Sequence, residues 1–372
     1  MTRTLSISLV TLGDPDTLTG GYLYHRRMQE LAPANGARLE FVSLPARPFP
    51  LPALAGRRAL RAIVEQGADV VVVDSIAASF LAPWVRSLAV PMVGSLHQPP
   101  GGIDHRLPRR TLQAPLDRVT YRRAAHLLVA SDLLAGQLAA QGFADRLTVV
   151  PPGRDVAQSP GGAPLDLREG AKIALLCVGN WVPRKGILEL LEAVARLPPG
   201  TVRLHLAGDE QADPAYAARV RRRLARLDVA TRVVRHGLSA RGEVARLYRD
   251  ADVFVLPSVR EPYGTVYGEA MAAGLPVVGW RAGNLPHLAR HGREGMLMET
   301  GDLDGLAAAL SLLAQDRPLR RRLGEAARQR AAGFPTWEQT ARRFFTAIRT
   351  AALGPMRGNH RPRRPRTAED AE

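Results

Sequence analysis

Apolar residues come in short blocks separated by longer amphipathic stretches, and that pattern occurs twice along the 372 residues. In the first half, residues 5–12, 39–44, 70–73, 91–96 and 127–129 read as strands, with helical spacing over 21–32 and 57–66. The second half restarts at 173–178. There, 202–207, 233–236, 253–256 and 276–278 read as strands, alternating with helical stretches over 186–197, 215–227, 241–250 and 264–273. Runs that are apolar at every position suit strands buried on both faces, so the alternation predicts an α/β protein with parallel sheets covered by helices. Prolines and glycines over 151–170 predict a linker between the halves, and 337–352 predicts a last helix.

The length allows two domains, each with its own core. A single cysteine, Cys177, sits inside an apolar run, which excludes an internal disulfide and predicts a packed, reduced thiol. No apolar stretch is long enough to cross a bilayer, and the first ten residues read as a polar-interrupted strand rather than a signal peptide. These features predict a cytoplasmic protein, soluble or peripheral to the membrane. The net charge of +16 is carried by arginine spread over many helices, and with 5% aromatic residues it predicts solvated faces rather than a nucleic-acid partner. Two places are denser: residues 106–123, which begin at Arg106 and end at Arg123, and a Pro-rich basic tail. Leu107, Leu112, Leu116 and Val119 recur at helical spacing in the first. That fits either a face docked peripherally on the inner surface of an anionic membrane or a core-facing helix with exposed arginines; the second is the expectation.

The chemistry concentrates between Asp252 and Gly279. A short strand ends at Pro257, and a small-residue helix opens at Gly264 and closes at Gly274. Glu261 and Glu269 flank that helix start, whose free amides over Gly264, Thr265 and Val266 make a seat for phosphate. Carboxylates repel phosphate, so the two glutamates are expected to accept from ligand hydroxyls. A phosphorylated ligand with hydroxyls on both sides suggests a nucleotide-sugar. Lysine is rare here, at two of 51 basic residues, so Lys185 within a Pro-Arg-Lys-Gly turn is not explained by the chain's general use of arginine. Its compact ammonium suits a leaving diphosphate.

The same segment resembles the E-x7-E signature of the retaining glycosyltransferases of family 4, which have the GT-B fold. Residues 175–186 resemble that family's "VGR-x-VP-x-KG" strand and loop, 149–155 its entry into the second domain, 204–209 its "L-x-I-x-G-x-G/D" strand, and 334–340 the start of its last helix. The resemblance implies two Rossmann-like domains facing a cleft: residues 1–160 for the acceptor, 161–336 for the nucleotide-sugar, and 337–352 as a helix returning to the first domain; the Pro-rich basic composition predicts 353–372 as a disordered tail.

What the resemblance implies about mechanism is transfer of a hexose-like group with retention, without metal and with no cofactor beyond the nucleotide diphosphate sugar donor. Lys185, Asn180, Arg184 and the amides of Gly21, Gly264, Thr265 and Val266 would meet the diphosphate. Glu261 would hold sugar hydroxyls, Glu269 the ribose, and His97 the sugar from the first domain. Asn180 stands where the family often has arginine, which shifts charge onto Lys185. It also leaves open a second reading, a nucleotide-sugar binding protein or inactive partner subunit. The acceptor, whether glycan, lipid or small molecule, is not readable from the sequence.

Overall fold

The computed structural model describes residues 3–16, 20–105, 107–154 and 161–353. The expected basic tail, Arg106 and the middle of the expected linker lie outside the described residues. Twelve strands form two six-stranded sheets among these residues. The first holds β1 (Leu5–Leu12), β2 (Ala37–Leu44), β3 (Val70–Asp74), β4 (Met92–Leu96), β5 (His126–Val129) and β6 (Leu147–Val149), in the order β2-β1-β3-β4-β5-β6. The second holds β7 (Ile173–Val178), β8 (Val202–Ala207), β9 (Val233–Gly237), β10 (Val253–Val255), β11 (Val277–Trp280) and β12 (Gly295–Met298), in the order β12-β11-β10-β7-β8-β9. Every pairing is parallel.

The all-apolar reading of β3 has a direct structural counterpart. Successive side chains of a strand point to opposite faces, and here Val70 and Val72 enter one core while Val71 and Val73 enter another. The first of those cores is completed by the final helix, Trp337–Leu353. Its Trp337, Phe344, Phe345 and Ile348 pack with Ile7, Leu9, Tyr24 and Met28 of the first lobe. The second sheet has its own core, running from Leu167 to Ala331.

In each sheet the chain starts in the middle, moves one way, and then returns to the other side of its first strand. That reversal opens a crevice at the carboxyl ends of β1 and β3 in one sheet and of β7 and β10 in the other, the usual ligand position in open α/β sheets. The two sets of strand ends approach each other. Arg184 pairs with Asp104 at 2.7 Å, Ser131 Oγ donates to the carbonyl of Pro262 at 2.6 Å, and the Tyr263 hydroxyl donates to the carbonyl of Pro152 at 3.2 Å.

The helix Leu107–Arg123 departs from the expected core-facing reading. Its buried positions are Gln113, Asp117, Thr120 and Tyr121, while Leu107 and Leu112 are 72% and 64% exposed and Val119 is also exposed. Some of the inward polar atoms hydrogen-bond locally, while Asp117 Oδ1 and the Tyr121 hydroxyl have no partner among the described residues. Asp117 accepts from the Gly101 N–H at 2.7 Å, and Thr120 Oγ1 donates to the carbonyl of Ala78 at 2.7 Å.

Candidate active site

The loop after β7 carries Asn180, Arg184 and Lys185. Asn180 Oδ1 accepts from the Asp209 N–H at 3.2 Å, which ties this loop to the one following β8. A one-turn 3-10 helix, Pro183–Lys185, ends at Gly186 with φ +70°, where a Cβ would stand 2.1 Å from the carbonyl of Pro257. Only glycine fits that approach, and it brings the Lys185 turn against the segment that leaves β10.

That segment delivers Glu261. Lys185 Nζ stands 2.5 Å from its carboxylate and Arg184 3.4 Å away, with the Lys185 side chain 9% and the Glu261 side chain 13% exposed. Burial alone would raise the Glu261 carboxyl, but Lys185 and then Arg184 outweigh it and hold the group below its ordinary value. The backbone of Glu261 is fixed as well, its carbonyl accepting from the Asn284 N–H at 2.9 Å.

Gly264, in the left-handed region at φ +87°, caps the helix Thr265–Ala272. The amides of Gly264, Thr265 and Val266 precede the first intrahelical donor, Tyr267, and open at the partial positive end of the helix. Glu269 lies one turn on. The Tyr248 hydroxyl is 3.2 Å from its carboxylate, burial pushes its carboxyl up, and Tyr248 and the charge of Arg241 offset part of that rise. Lys185, Arg184, Glu261 and the Gly264 loop are thus drawn together, while half-buried Glu269 takes Tyr248 as its partner.

In the first lobe, Gly20 and Gly21 open the helix Gly20–Leu31. A Cβ at either would meet nothing within 4 Å, and neither has a positive φ, so packing does not require glycine there. Bare amides that a ligand approaches closely would require it. His97 follows β4, with its ring 4.6 Å from that of Tyr24 and 4.9 Å from that of His25. Burial, reinforced by His25, pushes His97 down to about 3.

Sequence reasoning missed the support beneath His97. Asp74, at the end of β3, is 2% exposed and accepts from Thr11 Oγ1 at 3.0 Å. His25 Nε2 lies 3.2 Å from the same carboxylate, off the line of a well-formed hydrogen bond. Burial would raise the Asp74 carboxyl, but His25, His97 and the Ile76 N–H together lower it. Polar residues on the helix Gly20–Leu31 and at the ends of β1 and β3 meet only through the sheet register. Their one sequence signal is an aspartate closing an otherwise apolar strand.

Residues 166–330 match the model for glycosyl transferases group 1, and residues 3–153 match the model for a glycosyl transferase 4-like domain. The chain belongs to the family 4 type of glycosyltransferases with the GT-B fold. A D-inositol 3-phosphate glycosyltransferase of Corynebacterium glutamicum is 32% identical over 209 residues, covering 53% of this chain and 50% of that protein. The chain spans about half the length of that relative and of a second one from Corynebacterium efficiens. Sucrose-phosphate synthase from Thermosynechococcus elongatus superposes with a TM-score of 0.80 at 20% identity, covering 93% of this chain and 98% of that one. An Anabaena protein solved with UDP-glucose gives 0.79 at 19% identity over 93% and 100%. At such identity the likeness is one of fold.

Proposed function

We propose that the protein transfers a sugar from a nucleotide diphosphate sugar to an acceptor hydroxyl, with retention at the anomeric carbon and without a metal. The observation that supports this most is the juxtaposition of Lys185 with Glu261 where the ends of β7 and β10 meet, next to an uncapped helix start. In this reading Lys185, Arg184, Asn180 and the amides of Gly21, Gly264, Thr265 and Val266 stabilise the departing diphosphate. Glu261 holds sugar hydroxyls, Glu269 the ribose, and neutral His97 orients the sugar from the first lobe. Cleavage of the anomeric C–O bond places the electron pair on the diphosphate, where this cationic, amide-lined seat lowers its energy, while the acceptor oxygen, bonding to the anomeric carbon on the same face, passes its proton to the departing diphosphate oxygen. UDP-glucose bound by the Anabaena protein makes it the first donor to try.

The test combines thermal shift and turnover across a panel of UDP- and GDP-sugars. A donor that binds the native state raises the melting temperature by mass action, and UDP or GDP release then reports chemistry. No shift with any sugar nucleotide would overturn the reading, and a shift without release would favour a binding protein.

The exposed apolar side chains of the helix Leu107–Arg123 favour a second component, peripheral contact with an anionic membrane. Among the described residues, no helix is long and apolar enough to cross a membrane. Leu107, Leu112 and Val119 are exposed on a helix that ends in the exposed Arg122 and Arg123, a composition suited to lying in a lipid interface. Co-sedimentation with phosphatidylglycerol vesicles, lost in Leu107→Asp/Leu112→Asp, supports the contact; wild-type protein remaining in the supernatant overturns it.

A further inference from the structure

A pocket of about 490 Å³ lies between the lobes on the side of Glu261 served by the helix Leu107–Arg123. It shares Glu261 with the site above but is lined by none of the residues assigned to the diphosphate. Its polar lining is Arg110 and Arg118 from that helix, Arg260 beside Glu261, and Gln137 and Gln141 from the first lobe. Pro99, Pro100, Ile103, Leu133 and Leu134 make the remaining wall apolar.

The charges in this pocket do not balance. Arg118 Nε donates to the amide oxygen of Gln141 at 2.9 Å, and among the described residues the Arg260 guanidinium reaches only the carbonyl of Ile103 at 3.5 Å; both acceptors are neutral. Among the described residues the Arg110 guanidinium has no side-chain carboxylate partner. The one carboxylate in the lining, Glu261, is already engaged by Lys185 and Arg184, and nearby Asp104 is taken by Arg184. Asp117 on the same helix is buried and turned toward the Gly101 amide.

We propose that this pocket is the acceptor subsite and that the acceptor carries a phosphate or carboxylate held by Arg110, Arg118 and Arg260. The inference rests on the glycosyl-transfer reading, which puts Glu261 at the sugar being transferred. Planar guanidinium forks match the oxygens of phosphate and carboxylate, and an anion entering the cleft pairs charges that are otherwise left half-solvated between the lobes. The apolar wall suits the carbon face of a polyol. A hydroxyl of such a molecule, anchored by its anionic end, lies within the same pocket as Glu261.

The test titrates glycerol 3-phosphate and glycerol into the full chain by calorimetry, with and without saturating UDP. Binding of glycerol 3-phosphate that persists with UDP present, is absent for glycerol, and weakens at least about tenfold in Arg110→Gln/Arg118→Gln supports the subsite; tenfold corresponds to about 1.4 kcal/mol. Displacement by UDP would mean that the anion occupies the diphosphate seat, and would overturn it. Unchanged affinity in the double variant, or no binding to wild type, would overturn it equally. UDP binding is the separate readout: if UDP fails to bind, the donor reading falls, whereas a failure of glycerol 3-phosphate alone removes only the acceptor proposal. Phosphatidylglycerol vesicles that compete with bound glycerol 3-phosphate assign the anion to a lipid headgroup, and vesicles that leave it bound assign it to a soluble acceptor.

Discussion

Lys185 and Glu261, contributed by loops after two adjacent strands of the second sheet, form a 2.5 Å ion pair that is largely withdrawn from water. The residue proposed for the diphosphate and the residue proposed for the sugar are therefore each other's partner. In the proposed reading a donor would meet both charges already held side by side.

This pairing separates stability from catalysis. Lys185→Met leaves Glu261 with only the more distant Arg184, and loss of one member of a buried pair costs about 3 kcal/mol. The double variant Lys185→Met/Glu261→Gln should regain most of that stability in chemical denaturation. Turnover should fall about 100-fold or more in the single variant and stay low in the double. A single variant that retains near-normal turnover rules out the role given to Lys185.

Gly21→Val should leave folding nearly untouched, because a Cβ there meets nothing and helix propensity changes by less than about 1 kcal/mol. Donor affinity should fall at least about tenfold as the side chain covers the amides. Equal donor binding by variant and wild type would dismiss the phosphate cradle in the first lobe.

His97 should remain neutral across the working pH range, since burial and His25 hold it near 3. A base lowered in the folded state contributes stability fully above its unfolded value, near 6.5, and loses that contribution as pH falls from there toward 3. Histidine NMR should show no His97 titration between pH 8 and 5. A midpoint near 6.5 contradicts the environment described.

Asp117 should give the opposite slope. Burial pushes its carboxyl up to about 6, so the native state holds the proton more tightly than the unfolded chain, and stability decreases as pH rises from about 4 through 6. Asp117→Asn removes the titrating group but keeps an acceptor for the Gly101 amide. The variant should therefore gain on wild type across that interval in urea melts, and a pH-independent difference would contradict it.

Most of the architecture was legible because β3 and β7 are apolar on both faces, a pattern that a parallel sheet imposes directly. Two of the four edge strands were not. Leu147–Val149 and Gly295–Met298 are short and adjoin polar loops, so nothing in their pattern sets them apart from loop. Lys185 stood out through the scarcity of lysine, and Glu261 and Glu269 through their place beside a glycine-capped helix start. His25 and Asp74 stayed hidden, because tertiary register alone makes neighbours of a helical residue and a strand end. The helix Leu107–Arg123 misled by its leucine spacing. Its inward groups are largely polar, and periodicity cannot distinguish a polar interior from a solvated face.

The return of the last helix to the first sheet also bears on biosynthesis. Ile7, Leu9 and Tyr24 emerge from the ribosome early, yet the aromatic layer that shields them, Phe344 and Phe345, is among the late products of translation. The leading half must wait with a sticky flank until the trailing segment arrives. Severing the polypeptide between the sheets should therefore yield an aggregating fragment rather than an autonomous lobe.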